Sequence, residues 1–402
     1  MVRVKNPLRG IRVSDESHRV TTFELFFDLV FVFAFTQVTG FMAEAHNALG
    51  ILQAMIILGV LWWSWGTYAW LANQTHVDEG IVRMGMGVTM TAMFVVALVI
   101  PESFDDLEGG LSGPIVLSIA YFVVRIMHLL LYVAAAGGDR ALRRQVIRTS
   151  LAMFVGSTLI IAGSVVGGQW QLWLWLGGLV ADIILTYVTS IGGDWRLYSA
   201  AHWAERHGLV VILALGESVV AIGVGAADLP VSVPVLGGAV LGIGLSICLW
   251  WLYFDVVALA AERILAQRKD VARTTLGTEA YTYLHFVLIA GIVISALGVE
   301  EVLASVDSVG AFGLFGAAAL FGGTSLYLAG HALFWRRVGG TWPPSRLGVA
   351  TLLLALAPVG ATVPPLGALA IVVSIIVALV TFETVLYAER RKAVRKAHDK
   401  AR

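Results

Sequence analysis

Twelve apolar runs separated by short polar connections set the pattern of this chain. They lie near 21–42, 48–71, 81–100, 112–136, 146–167, 170–191, 205–226, 234–259, 280–299, 309–334, 346–363 and 365–388. A helix rises about 1.5 Å per residue, so each run crosses, or nearly crosses, a hydrocarbon layer roughly 30 Å thick. The pattern predicts an all-α protein, a polytopic transmembrane helix bundle of about 12 spans. The connections are too short to hold an added domain. The longest, 260–279, reads as a helical extension of the eighth span.

The basic residues divide by side. With the N-terminus placed in the cytoplasm, the inner connections collect Arg3, Lys5, Arg9, Arg12, Arg19, Arg83, Arg140, Arg143, Arg144, Arg148, Arg196, Arg206, Arg263, Arg268, Lys269, Arg273, Arg336, Arg337, Arg346 and the basic tail. The outer connections hold acids such as Glu102, Asp105, Asp106, Glu108, Asp228, Glu300, Glu301 and Asp307. Arg125 alone among the lysines and arginines falls in the middle of a span, the fourth. The positive-inside rule then places both termini in the cytoplasm. Composition agrees, with 58% hydrophobic residues, 13% charged residues and a mean hydropathy of +0.84. A net charge of zero gives no electrostatic case for nucleic acid. The single cysteine, Cys248, excludes an intramolecular disulfide. The first run is too long for a signal peptide and contains Glu24 and Asp28, so it is expected to remain in the mature protein.

Six spans followed by six more suggest two parallel six-helix repeats, one of the common transporter architectures. Trp62 and Trp63 in the second span match Trp250 and Trp251 in the eighth; Glu24 matches Glu205, and Asp182 matches Glu383. The expected organisation is a basic N-terminal segment (1–20), a first repeat (21–191), a connection (192–204), a second repeat (205–388) and a basic tail (389–402).

Candidate chemistry lies in the ionisable residues within spans. A charge at mid-bilayer costs at least about 2.5–3.5 kcal/mol, so it faces the bundle interior and has a partner or a purpose. Glu24 and Asp28 are four apart on one face of the first helix. Glu24 lies close enough to the inner interface to serve as a helix cap. Glu217 lies near mid-depth of the seventh span, behind Gly216. Arg125 and His128 are three apart in the fourth span. Arg125 stays charged and demands a counter-charge, for which Glu217, Asp182 and Asp28 are available. Asp255 lies toward the inner end of the eighth span, and Asp255, His285 and His331 could meet as a metal set. The surplus of acids over embedded cations favours a path for a proton or small cation. Asp28 and Glu217 would be its carboxylates, Asp182 their helper and Arg125 the fixed counter-charge, with Glu24, His128 and Asp255 as further candidates along the path. There is no Walker loop, Rossmann fingerprint, His-Glu-x-x-His or cysteine cluster, so no enzyme and no cofactor are expected.

Two stretches carry a resemblance. Thr22–Ala34 (TFELFFDLVFVFA), together with His202–Leu209 (HWAERHGL) and Leu215–Ser218 (LGES), resembles the bacterial low-temperature-requirement protein A family. Glu24, Asp28, Glu205, Arg206, Gly216, Glu217 and Ser218 are the matching polar positions. The resemblance implies a multi-pass bacterial inner-membrane protein in contact with membrane lipids. The family name records growth in the cold and implies no reaction. Two other classes stay open: a membrane enzyme acting on lipid or isoprenoid substrates through His128, His285 or His331, and a scaffold whose buried charges only lock packing. Ion flux, a lost lipid product or a loss of stability alone would separate the three.

Overall fold

The computed structural model describes residues 14–191, 193, 195–389 and 391–392, all-helical with no strand among them. Arg3, Lys5, Arg9, Arg12, Arg390 and the tail from 393 lie outside the described residues. A backbone in lipid must satisfy its own N–H and C=O groups, and a helix does so within one segment. The helices are α1 Thr22–Ala45, α2 Ala48–Gln74, α3 Gly80–Leu98, α4 Gly113–Ala136, α5 Arg140–Val166 and α6 Gly168–Ser190. They continue as α7 Ala200–Gly225, α8 Val233–Gln267, α9 Asp270–Ala304, α10 Leu314–Gly339, α11 Pro344–Gly360 and α12 Pro365–Leu386. Eleven are long and apolar enough to cross a membrane. The other, α11, has 17 residues, the lower end of a spanning length. Outward apolar side chains such as Leu151 (62% exposed), Val165 (69%) and Val240 (71%) suit contact with lipid. This is a multi-pass membrane protein.

The boundaries shift where polar residues belong to helices after all. α7 starts at Ala200, five residues ahead of the expected 205, which brings His202 into its first turn. α9 runs from Asp270 to Ala304, so Glu300 and Glu301 end a helix instead of occupying a connection. The extension of α8 is Val257–Gln267, separated from Val233–Phe254 by a break at Asp255 and Val256. α5 is capped by Asp139, whose carboxylate accepts from Ala141 and Leu142 N–H, both at 3.0 Å.

The chain divides into two compact units. One comprises Met1–Phe41 and Leu52–Trp203; the other comprises Met42–Ile51 and Ala204–Arg402. In the first, α3 packs on α4, α4 on α5, and α5 along α6. In the second, α9 lies along α10, α10 on α11, and α12 on α8. The tryptophan pairs that suggested a duplication differ in surroundings: Trp62 and Trp63 are buried, whereas Trp250 and Trp251 are 43% and 37% exposed. Glu24 is buried and Glu205 exposed. Asp182 and Glu383 do share a role, each receiving an arginine.

Glycines set the distance between α9 and α10. A Cβ on Gly291 would sit 2.3 Å from the Tyr327 amide nitrogen, and one on Gly298 would sit 2.4 Å from the Leu320 backbone. Ser295 and Thr324 exploit the approach with a 3.0 Å hydrogen bond between helices. Small residues let membrane helices pack this closely. Gly291→Ala and Gly298→Ala are therefore expected to destabilise the protein by about 1–3 kcal/mol. Gly244→Ala, which meets nothing within 4 Å, should leave stability unchanged or raised. Thermal unfolding in detergent reads all three; an unshifted midpoint for the first two would refute the packing argument.

Candidate functional site

In the first unit a polar seam begins where α1 starts. Thr21 and Glu24 form a capping box: the Thr21 N–H and hydroxyl donate to Glu24 Oε1 at 3.0 and 3.1 Å, and Glu24 N–H donates to Thr21 Oγ1 at 3.3 Å. The other oxygen, Oε2, meets His202 Nε2 at 2.9 Å, with both side chains shut off from solvent. The two stretches that carry the family resemblance thus meet at this pair. Asn73 fixes the arrangement from behind. Its Oδ1 accepts from Tyr198 N–H (2.8 Å), and its Nδ2 donates to the Ser199 carbonyl (2.8 Å) and faces His202 Nδ1 at 3.2 Å. The amide cannot flip without losing both backbone bonds, so Nδ1 is the acceptor and the ring hydrogen sits on Nε2, aimed at Glu24.

His18 stacks on His202 with ring centroids 4.5 Å apart, and His76 meets His18 edge-on at 4.5 Å. One ligand-type atom from each of His18, Glu24 and His202 lies within 4.8 Å of the others. That spacing resembles a metal site, but the tautomer does not fit: Nε2 of His202 has no lone pair to give while Asn73 donates to Nδ1. Glu24 and His202 form a hydrogen-bonded latch, with His18 stacked against it. His18 precedes α1, and its pKa is pushed down to about 4, by burial first and by the His202 ring second, against the pull of Glu24.

One turn deeper, Asp28 accepts the Trp65 indole N–H at 3.1 Å. Beyond it runs a polar stripe on α4 formed by Tyr121, Arg125, His128 and Tyr132, spaced to share one face. Arg125 Nη2 donates to Asp182 Oδ2 at 2.7 Å, and Thr186 Oγ1 donates to Asp182 Oδ1 at 3.2 Å. Gly156 of α5 makes room for Asp182, since a Cβ there would lie 2.7 Å from the aspartate Cβ. Tyr68 Oη donates to the Val124 carbonyl at 2.8 Å, and its ring meets His128 at 5.4 Å. Five buried atoms on the stripe have no hydrogen-bond partner among the described residues: Tyr121 Oη, Arg125 Nε and Nη1, His128 Nε2 and Tyr132 Oη.

The structure therefore gathers Glu24, Asp28, Arg125, His128 and Asp182 into one unit. Of the three carboxylates offered to Arg125, Asp182 is the one it takes. In the second unit Glu217 is buried within α7, in electrostatic range of Glu300. Asp255 pairs with Arg391, His331 with Arg346, and His285 with the Tyr253 hydroxyl at 2.8 Å. His285, His331 and Asp255 thus have separate partners and do not gather as a metal set among the described residues. Sequence reasoning missed His18, His76 and Asn73. The two histidines lie outside the spans, where a search for embedded charge does not reach.

The comparisons add a family. Residues 19–381 match the model described as bacterial low temperature requirement A protein (LtrA). An uncharacterized protein of Rhizobium meliloti (strain 1021) is 28% identical over 342 residues, covering 83% of this chain and 81% of its own length. No solved structure matches.

Two outcomes follow from this geometry. Removing one member of the Arg125–Asp182 pair strands a buried charge, so Arg125→Ala or Asp182→Leu should cost about 3–5 kcal/mol. Arg125→Met with Asp182→Leu should cost much less, and denaturation in detergent of the singles and the double measures the difference. For His18, the pKa falls from 6.5 to about 4 on folding. Between those values the unfolded chain binds a proton that the folded one refuses, so its contribution is unpenalised above pH 6.5 and stability falls as pH drops toward 4. His18→Gln should flatten that acid limb of a melting-temperature profile; an unchanged limb would contradict the assignment.

Proposed function

The chain belongs to the bacterial low temperature requirement A protein (LtrA) family, and from that premise we propose that it is a membrane transport protein, a carrier or channel for protons or a small cation. The observation that supports the reading is the polar stripe of α4. Five buried polar atoms without a hydrogen-bond partner among the described residues lie on one face of an apolar span. A dry, unsatisfied group costs about 1–3 kcal/mol, so their retention favours water or a passing solute along that face.

In this reading Asp28 and Glu217, each 1% exposed, carry the exchangeable proton or cation. Arg125 and Asp182 hold the stripe in register, and the Glu24–His202 latch fixes the start of α1 beside it. The sidedness of the basic residues favours the inner membrane with both termini in the cytoplasm.

Purified protein in sealed liposomes tests the reading. Wild type should pass H⁺, Na⁺ or K⁺ down an imposed gradient, and Asp28→Asn and Glu217→Gln should keep their melting temperature while losing at least about 90% of the flux, a tenfold effect. No flux from correctly inserted wild type would reject transport. Undiminished flux in both variants would reject the carboxylates.

A further inference from the structure

At one end of the second unit, where α8 breaks, lies a cavity of about 450 Å³. It is bounded by the break itself, the extension Val257–Gln267, the α10–α11 connection, the end of α12 and Arg391. Its lining is divided in chemistry. Three arginines reach it from three parts of the chain: Arg263 from the extension, Arg346 from the first turn of α11, and Arg391 from beyond α12. Two acids, Asp255 and Glu383, share it, and Trp251 and Trp342 present rings that are 37% and 50% exposed.

Charge pairing leaves a remainder. Glu383 accepts Arg346 Nε and Nη2 and the Ser345 hydroxyl, while Arg346 Nη1 lies 2.6 Å from His331 Nδ1. That wall is neutral and closed. Arg391 contacts Asp255 through Nη2 and lies over the Trp251 ring, 5.8 Å from its centroid. Arg263 is exposed and has no carboxylate partner among the described residues. Three arginines against two acids leave one positive charge. The first turn of α11 opens onto the same space and adds the positive end of a helix dipole. Apolar side chains such as Leu252, Ile264 and Val380 line the rest.

A molecule that fits combines one negative charge with an apolar body. We propose that this cavity binds the headgroup phosphate of an anionic membrane phospholipid, with Arg263 and Arg391 on the phosphate and the tryptophans against its apolar portion. Basic pockets beside membrane helices take lipid phosphates in this manner. The site is separate from the transport reading and stands or falls without it. Arg391 would exchange Asp255 for the phosphate, so occupancy would also bear on how the end of α12 is held.

The test uses delipidated full-length protein in detergent, titrated with phosphatidylglycerol, phosphatidylcholine or glycerol 3-phosphate, and read by native mass spectrometry and thermal shift. Phosphatidylglycerol should bind and raise the melting temperature of wild type more than either comparison ligand. Arg263→Gln, at an exposed residue without an ion pair, should fold normally and bind it about fivefold more weakly, and Arg391→Gln should weaken it further. Arg144→Gln, at an exposed arginine of the other unit, should bind like wild type. Equal binding by Arg263→Gln and wild type overturns the proposal. An equal loss in Arg144→Gln does so too, by showing attraction to any surface charge. Glycerol 3-phosphate binding as tightly as the lipid assigns the cavity to a soluble phosphate ester, and the lipid proposal fails.

Discussion

A polar group carried into hydrocarbon has no bulk water to bond with, and it is costly to keep unless it finds a partner within the protein or faces a cavity that admits water. That constraint explains both the backbone and the side chains here. It makes every described span helical, and it explains why Arg125, the one span-embedded cation foreseen from the sequence, lies 2.7 Å from Asp182. It also shapes the neighbours of such pairs. Gly156 exists at a point where any side chain would press on Asp182, so the ion pair dictates a small residue on a third helix. In the second unit Glu383 accepts Arg346 and Ser345 together, and His331 closes the remaining face of the arginine.

The same rule operates at the start of α1, where it joins two functions in one carboxylate. Glu24 Oε1 satisfies the orphan donors of a helix N-terminus, which any glutamate at that position could do. Oε2 faces a histidine brought from nearly 180 residues away. A cap needs no such partner, so the second bond is tertiary information: it fixes where the first turn of α7 lies relative to α1 within the unit. Asn73 reinforces it by setting the tautomer of His202, and the bonds from Asn73 to the backbone of Tyr198 and Ser199 hold the approach to α7 in place.

Much of the fold was legible in the sequence because span length and apolar character are local properties. The helix termini were less so. His202 and Glu300 were read as outside or at the edge of spans because polarity was taken as an end signal, whereas each finds a burial or a partner that lets the helix continue. Pairings were not legible, since periodicity identifies a face but not the helix opposite it. Arg125 had three acids of suitable depth, and only packing among α4, α5 and α6 selects Asp182. The tryptophan pairs show a further limit: Trp62–Trp63 and Trp250–Trp251 read alike, yet one pair is core and the other faces outward. Composition at matching positions does not fix environment.

Burial alone does not distinguish an acid kept for packing from one kept for work; the chemistry of the partner does. Asp182 and Glu383 receive guanidinium groups, which hold their charge at any physiological pH, so each of these carboxylates sits in a closed pair with a permanent cation. Glu24 receives an imidazole hydrogen and Asp28 an indole hydrogen, donors that carry no permanent charge. The arginine pair of the first unit is anchored by Asp182 on α6. In the transport reading proposed above, such a pair would preserve the geometry of the path while other carboxylates load and release the charge.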